Sequence, residues 1–201
     1  MSRWKPNAEG RFRAAAMELF IERSYEQTTV ADIAERAGLT PRTFFRHFAD
    51  KREVLFNGSA RLQEAMLNAV RIAPAHAVAI DAIVAALEAM VAFFGDDRAS
   101  ARLRRSIVAS TPELRERELI KLATLSATLA EALHARGINE PDASLAAEAA
   151  IAVFRVAFAQ WLDESEMRSL DEIVSASLDR LRAIVGNNRW DTHRRIKPDD
   201  K

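Results

Sequence analysis

Apolar residues recur at three- and four-residue intervals along almost the whole chain, and no stretch sustains the period-2 alternation of a half-buried strand. The pattern predicts an all-α fold. Proline, glycine and charged breaks divide it into about nine helical segments joined by short connections. The first, near residues 7 to 23, lines up Phe12, Ala15, Ala16, Leu19 and Phe20 on one side. A helix from Asp50, with Glu53 at the capping-box position, is expected to run toward Arg71. Further segments follow over about 76 to 94, closed by Gly95, then 97 to 109, Thr111-Pro112 to Arg136, 142 to 163, and 169 to 185 after a Ser169 cap.

Between these, residues 28 to 51 spell two short helices joined by a turn. Thr29 is placed to cap the first, with Asp32 as its reciprocal partner, and Val30, Ile33, Ala34 and Ala37 form one apolar stripe. Gly38 allows the left-handed residue that ends it. Thr40 caps the second helix and Pro41 takes its first position, where a missing N–H costs nothing. Phe44 and Phe48, four apart, are expected to face the first helix, leaving Arg42, Thr43, Arg46 and His47 outward. A hydroxyl and guanidiniums at the start of such a helix can reach base edges and phosphates in a DNA major groove. Phe45 has two readings: a ring half-covering the core, or one touching a thymine methyl.

The last two segments are unusually apolar. From Leu145 to Leu162 the chain is apolar almost all round, interrupted mainly by Glu148, Arg155 and Gln160. One subunit can hardly cover that helix and its amphipathic successor together, so a two-fold four-helix interface is expected, with Phe158, Trp161, Leu178, Leu181 and Val185 in it. The alternative is that both helices complete the subunit's own core. Arg155, a guanidinium amid Phe154, Val156 and Phe158, needs a carboxylate if buried, and either an ion pair between subunits or an anchored ligand would supply one.

Composition adds limits. Residues 1 to 56 hold 10 Lys+Arg against 8 Asp+Glu while the whole chain of 201 residues is formally neutral, a weak asymmetry toward a nucleic-acid end. No cysteine is present, which excludes disulfides and thiolate metal sites. The start, Met-Ser-Arg-Trp-Lys-Pro-Asn, has no signal-peptide run, and no apolar stretch reaches membrane-spanning length without a charge, so a cytoplasmic protein with no membrane partner is expected.

The pattern Phe12, Ala15-Ala16, Leu19-Phe20, Thr28-Thr29-Val30, Asp32-Ile33-Ala34, Ala37-Gly38, Thr43-Phe44-Phe45-Arg46-His47-Phe48 and Lys51 closely resembles the N-terminal domain of tetracycline-repressor (TetR) family regulators over roughly residues 8 to 56. The resemblance implies an operator-reading head at 1–52 and a domain at 53–185 that dimerises and binds a small effector lowering DNA affinity, followed by a polar tail at 186–201. Thr29, Thr40, Pro41, Arg42, Thr43, Phe45, Arg46, His47 and Lys51 then become the candidate DNA contacts. Two positions depart from the family's habit. Ser24 stands where many members have glycine, and Phe45 where many have tyrosine, so His47 and Lys51 are expected to carry more of the phosphate clamping.

The stretch from Arg105 through Ser-Ile-Val-Ala-Ser-Thr-Pro, with Gln160-Trp161-Leu162, is similar more loosely to the C-terminal domain of the mycofactocin-regulator-like branch, which implies acyl-CoA-like ligands. Candidate pocket residues are Met66, Met90, Phe93, Phe94, Ile107, Leu125, Phe154, Phe158 and Trp161, with Arg102, Arg105 and Arg155 for an anionic group. The arginines 98, 102, 104 and 105 equally suit a solvated helix face.

Catalytic constellations are missing from this reading. Glu131 and His134 have di-iron spacing but occur once, where such bundles need two pairs and two further glutamates. His76 and His193 have no nucleophilic neighbours, and no glycine-rich phosphate loop occurs. Arg3 and Lys5 could form a minor-groove arm, although simple disorder is the favoured expectation for this end and for the polar tail alike. The residues therefore indicate a homodimeric, effector-responsive regulator of double-stranded DNA without cofactor or metal. Its rival is a helical enzyme or carrier retaining a helix-turn-helix.

Overall fold

The computed structural model describes residues 8–74 and 79–186, and every regular element in them is helical. Arg3, Lys5, His76, His193 and the tail after residue 186 lie outside the described residues. The elements are α1 (Ala8–Arg23), α2 (Val30–Arg36), α3 (Pro41–His47), α4 (Glu53–Phe56), α5 (Ser59–Ile72), α6 (Ala79–Phe94), α7 (Arg98–Ser110), α8 (Pro112–Ala135), α9 (Asp142–Trp161) and α10 (Leu170–Gly186). Among the described residues no helix is long and apolar enough to cross a membrane.

The expected helix from Asp50 to Arg71 is broken in two. Asp50 does receive the backbone N–H groups of Arg52 and Glu53, at 2.8 and 3.2 Å. The Glu53 carboxylate does not close the box but turns to Arg117 and Lys121 on α8. At the break, Phe93 of α6 lies against Gly58, where a Cβ would meet the ring at 2.8 Å. At the far end of α5, Arg136 donates to the carbonyls of Val70 and Ala73 at 2.9 and 3.1 Å, satisfying acceptors that a helix terminus leaves open.

Two apolar clusters organise the chain. The first joins the inner faces of α1 and α2 to Phe44, Phe48 and Val54, Leu55 and Phe56 of α4, so its contacts run past residue 52; Ile107, Val108 and Leu114 from α7 and α8 close it. The second is built from α5, α6, α8, α9 and α10, with fully buried Met66, Met90, Leu129, Leu133 and Ile173.

Covering of α9 corrects the expected interface. Helices α6, α8 and α10 all pack on it, and the ring of Phe94 on α6 lies tilted against those of Phe154 and Phe158 with centroids 5.5 and 4.7 Å apart. Trp161 and Leu178 are buried in the subunit's own core, and Phe158 and Leu181 pack against that core. Of the five residues placed at the interface, Val185 alone is exposed; Leu145, Val156 and Ile184 are the other exposed large apolar residues of α9 and α10. Arg155 is exposed as well, so no buried charge has to be explained.

Between α1 and α2, Ser24 adopts φ of 74°, the left-handed region that disfavours a side chain. Tyr25 can then fold back onto Phe20, with ring centroids 5.2 Å apart. Ser24→Gly should relieve this backbone and raise stability by about 0.5–1 kcal/mol, less than the full left-handed penalty because glycine also loosens the unfolded chain. An unchanged or lowered urea midpoint for the variant would contradict the assigned strain.

Candidate nucleic-acid interface

Each helix of the recognition unit starts at a side-chain cap. The Thr29 hydroxyl accepts from the Asp32 N–H at 3.1 Å, and Asp32 accepts the Thr29 N–H in return at 2.8 Å. The Thr29 N–H foremost, and then the Thr29 hydroxyl, which donates to the same carboxylate at 2.7 Å, hold the Asp32 carboxyl below its ordinary pKa. The helix ends on Gly38 at φ of 63°, with the Leu39 N–H reaching back to the Ala34 carbonyl at 2.8 Å. Arg11 from α1 donates to the carbonyls of Ala37 and Gly38 across this turn. Thr40 then accepts the Thr43 N–H at 3.2 Å, with Pro41 at the first position of α3.

One side of α3 is fixed by aromatic packing. Phe44, fully buried, meets Phe12 edge-on at 5.2 Å and Phe48 at 4.9 Å. On the other side Pro41, Arg42, Phe45 and Arg46 are exposed and Thr43 is half-buried, its hydroxyl 3.0 Å from that of Thr40. Phe45 is 58% exposed, so its ring is not part of the core. Thr29 and Thr40 are likewise exposed, each at the N-terminus of its helix.

Two candidates sit differently from expectation. His47 turns under the helix rather than outward: its Nδ1 lies 3.4 Å from Glu9, its Nε2 is shut from solvent without a partner, and its ring lies beside Phe12. The cause is positional, since residue 47 follows Phe44 by three and shares much of its inward face. Lys51 also points inward. Its ammonium donates to the carbonyls of Tyr25 and Thr28 at 2.7 and 3.0 Å and stands 3.8 Å over the Tyr25 ring. Burial lowers the lysine's pKa and raises that of Tyr25 to about 12. Lys51 is thus a brace for the α1–α2 connection. Glu9, Arg11 and Tyr25, which orient these elements, were missed because their partners are remote in sequence.

The arginines of α7 are also committed to protein groups. Arg102 donates to the carbonyls of Leu162 and Asp163 at the end of α9, at 2.8 and 2.5 Å. Arg98 bonds the carbonyls of Glu166 and Arg168 and lies over Trp161. Arg104 donates to the Leu55 carbonyl and to Glu118, both at 3.0 Å, and burial lowers its pKa. Arg105 is exposed.

The apolar pocket candidates divide. Met66, Met90, Leu125 and Phe154 are buried together, with Phe94, Phe158 and Trp161 beside them. Ile107 belongs to the other cluster, under the recognition unit, and Phe93 lies at Gly58. Among the described residues no group of three or more carboxylates and histidines could hold a metal, and the His134 ring lies 3.2 Å from the Ile138 carbonyl.

Comparison with known proteins follows the same division. Residues 12–57 match the model for bacterial regulatory proteins of the tetR family, and residues 77–186 match the MftR C-terminal domain. The HTH-type transcriptional regulator TcmR of Streptomyces glaucescens is 32% identical over 179 residues, spanning 83% of this chain and 79% of TcmR. The regulator FadR of Bacillus subtilis, solved in complex with stearoyl-CoA, superposes with a TM-score of 0.57 at 22% identity over 86% of this chain and 96% of its own. FadR of Thermus thermophilus, solved with lauroyl-CoA, gives 0.52 at 21% identity over 86% and 92%. At these identities the two solved structures share the fold.

The inward ammonium leads to a distinct expectation for Lys51. Lys51→Met should lower the thermal midpoint, since two carbonyls of the α1–α2 connection lose their donor at a cost of about 1–2 kcal/mol. A melt by circular dichroism that matches the parent protein would return Lys51 to a solvent-facing role.

Proposed function

The chain is a transcriptional regulator belonging to the tetR family of bacterial regulatory proteins, and from that premise we propose that it works as a homodimeric repressor on a near-palindromic operator and is released by a small, acyl-CoA-like effector. Residues 1–52 read the DNA, in the cytoplasm, and residues 53–185 hold the effector and the partner subunit. The observation that carries this reading is the pairing of two faces on α3. Phe44 is locked on Phe12, while Arg42, Phe45 and Arg46 stand exposed together. A short helix held on one side and cationic on the other fits the major groove, where Arg can read guanine and a phenyl ring can cover a thymine methyl.

Support for the dimer comes from the stripe of exposed apolar residues on α9 and α10, which water disfavours and a two-fold mate would cover. Two linked heads bind half-sites separated by about one helical turn or a multiple of it. Support for the effector class comes from the aromatic cluster of Phe94, Phe154, Phe158 and Trp161, whose apolar character suits an acyl chain, and from the acyl-CoA complexes of the two FadR regulators. Arg105 is the arginine of α7 left exposed to meet an anionic head group.

Fragments of the source genome selected on the immobilised protein supply the operator for the test. Arg46→Ala should weaken binding by about 1–3 kcal/mol in fluorescence anisotropy, concentrated at one base position, while helix content stays unchanged. Equal affinity of the variant for the selected site would remove Arg46 from the interface. Lauroyl-CoA and stearoyl-CoA should each release the parent protein from that site. Complexes untouched by either would refute the effector class.

A further inference from the structure

We propose that the second copy of the chain docks α9 against α9 in antiparallel register, with the two-fold axis at Ala152, and that Glu148 of each subunit pairs with Arg155 of the other. This rests on the homodimer proposed above and specifies how it is built. Beyond Asp142 and Ser144 at its start, the exposed residues of α9 are centred on Ala152, itself exposed: Leu145, Glu148, Arg155, Val156 and Ala159 are exposed and Ala149 is half-buried. With 100° per residue, Leu145 and Ala159 fall about 20° to either side of Ala152, Glu148 and Arg155 about 40° and 60° to one side, and Ala149 and Val156 about 60° and 40° to the other. The charges share one edge of the stripe, and small or apolar residues share the opposite edge.

Symmetry then selects the orientation. A two-fold axis perpendicular to the helix exchanges its ends but keeps each edge facing its own kind. Glu148 lies about 6 Å before Ala152 along the helix and Arg155 about 4.5 Å after it, so in this register each carboxylate meets the other subunit's guanidinium. Ala149 meets Val156, and Leu145 meets Ala159. A two-fold axis along the helix would instead keep height and exchange edges, setting Glu148 against Ala149 and Arg155 against Val156. Both charges would then lose water without gaining a partner, which is costly. The alanines at 149, 152 and 159 permit the close approach of helix axes that the antiparallel packing needs.

The free subunit is arranged for this pairing. Among the described residues neither Glu148 nor Arg155 is joined to an opposite charge. One Glu148 oxygen accepts the hydroxyl of buried Ser126 at 2.7 Å, which holds the carboxylate in place and leaves its second oxygen for a partner.

The chain has no cysteine, so single cysteines report position cleanly. Under diamide, Ala152→Cys should yield a covalent dimer, whereas Leu145→Cys, about 10 Å along the helix from the axis, should not. Arg155→Glu should raise the dimer dissociation constant about tenfold or more at low salt by sedimentation, and adding Glu148→Arg should bring it back to within about threefold of the parent. Each variant is first checked for parent-like helix content. A parent protein that sediments as a monomer at all concentrations would overturn the dimer reading and this register with it. A dimeric parent that cross-links through residue 145 rather than 152, or that is indifferent to Arg155→Glu, would overturn the register alone.

Discussion

Helices α2 and α3 have seven residues each, and an isolated helix of that length has no stability in water, where about 12–15 residues are needed even for favourable sequences. Their existence therefore depends on Phe12. Its ring sits in the angle of the unit, edge-on to Phe44 at 5.2 Å and to Phe48 at 6.0 Å, and is wholly buried. The caps at Thr29 and Thr40 decide where the helices begin, and Gly38 decides how the chain turns between them. The aromatic contact decides that α3 stays at one pitch, so that its exposed arginines keep a fixed direction.

The recognition unit is not a loose appendage. Arg104 is sunk between the Leu55 carbonyl on α4 and Glu118 on α8, with the Phe56 ring 4.9 Å from its guanidinium carbon. Glu53 on α4 is gripped by Arg117 and Lys121 on α8. Removing one member of such a partly desolvated pair leaves the other charge uncompensated, which explains why these contacts hold α4 in step with α7 and α8. The Phe93 ring at Gly58 adds a steric contact from α6 at the same junction.

What was legible in the sequence was local. Caps, glycine turns and hydrophobic period are written within three or four residues, and they gave the helices α1, α2, α3, α7, α8 and α10 within a few positions. The interruption at Asn57–Gly58 was not legible, because the ring that packs against Gly58 there, Phe93, lies far along the chain. The destinations of long cationic side chains were the hardest to read. Lys51 and Arg102 looked like free charges but end on main-chain carbonyls contributed by distant segments, and Arg155 looked buried because its neighbours are apolar, whereas the face it shares with Glu148, Ala152 and Ala159 is left exposed by the other helices. Likewise Trp161 and Leu178 carry the composition of an interface, yet both are buried within the subunit's own core.

The clamping of the α9–α10 connection by Arg98 and Arg102 has a mechanical consequence. Both arginines stand in the first turns of α7, whose far end, at Ile107 and Val108, is embedded under the recognition unit. Thirteen residues at 1.5 Å each make a strut about 20 Å long. A strut of that length, tilted by about 10° where it holds the connection, displaces its opposite end by about 3 Å. That is close to the rise of one base pair along duplex DNA, about 3.4 Å. Motions far too small to unpack either core are therefore large on the scale by which bases are counted.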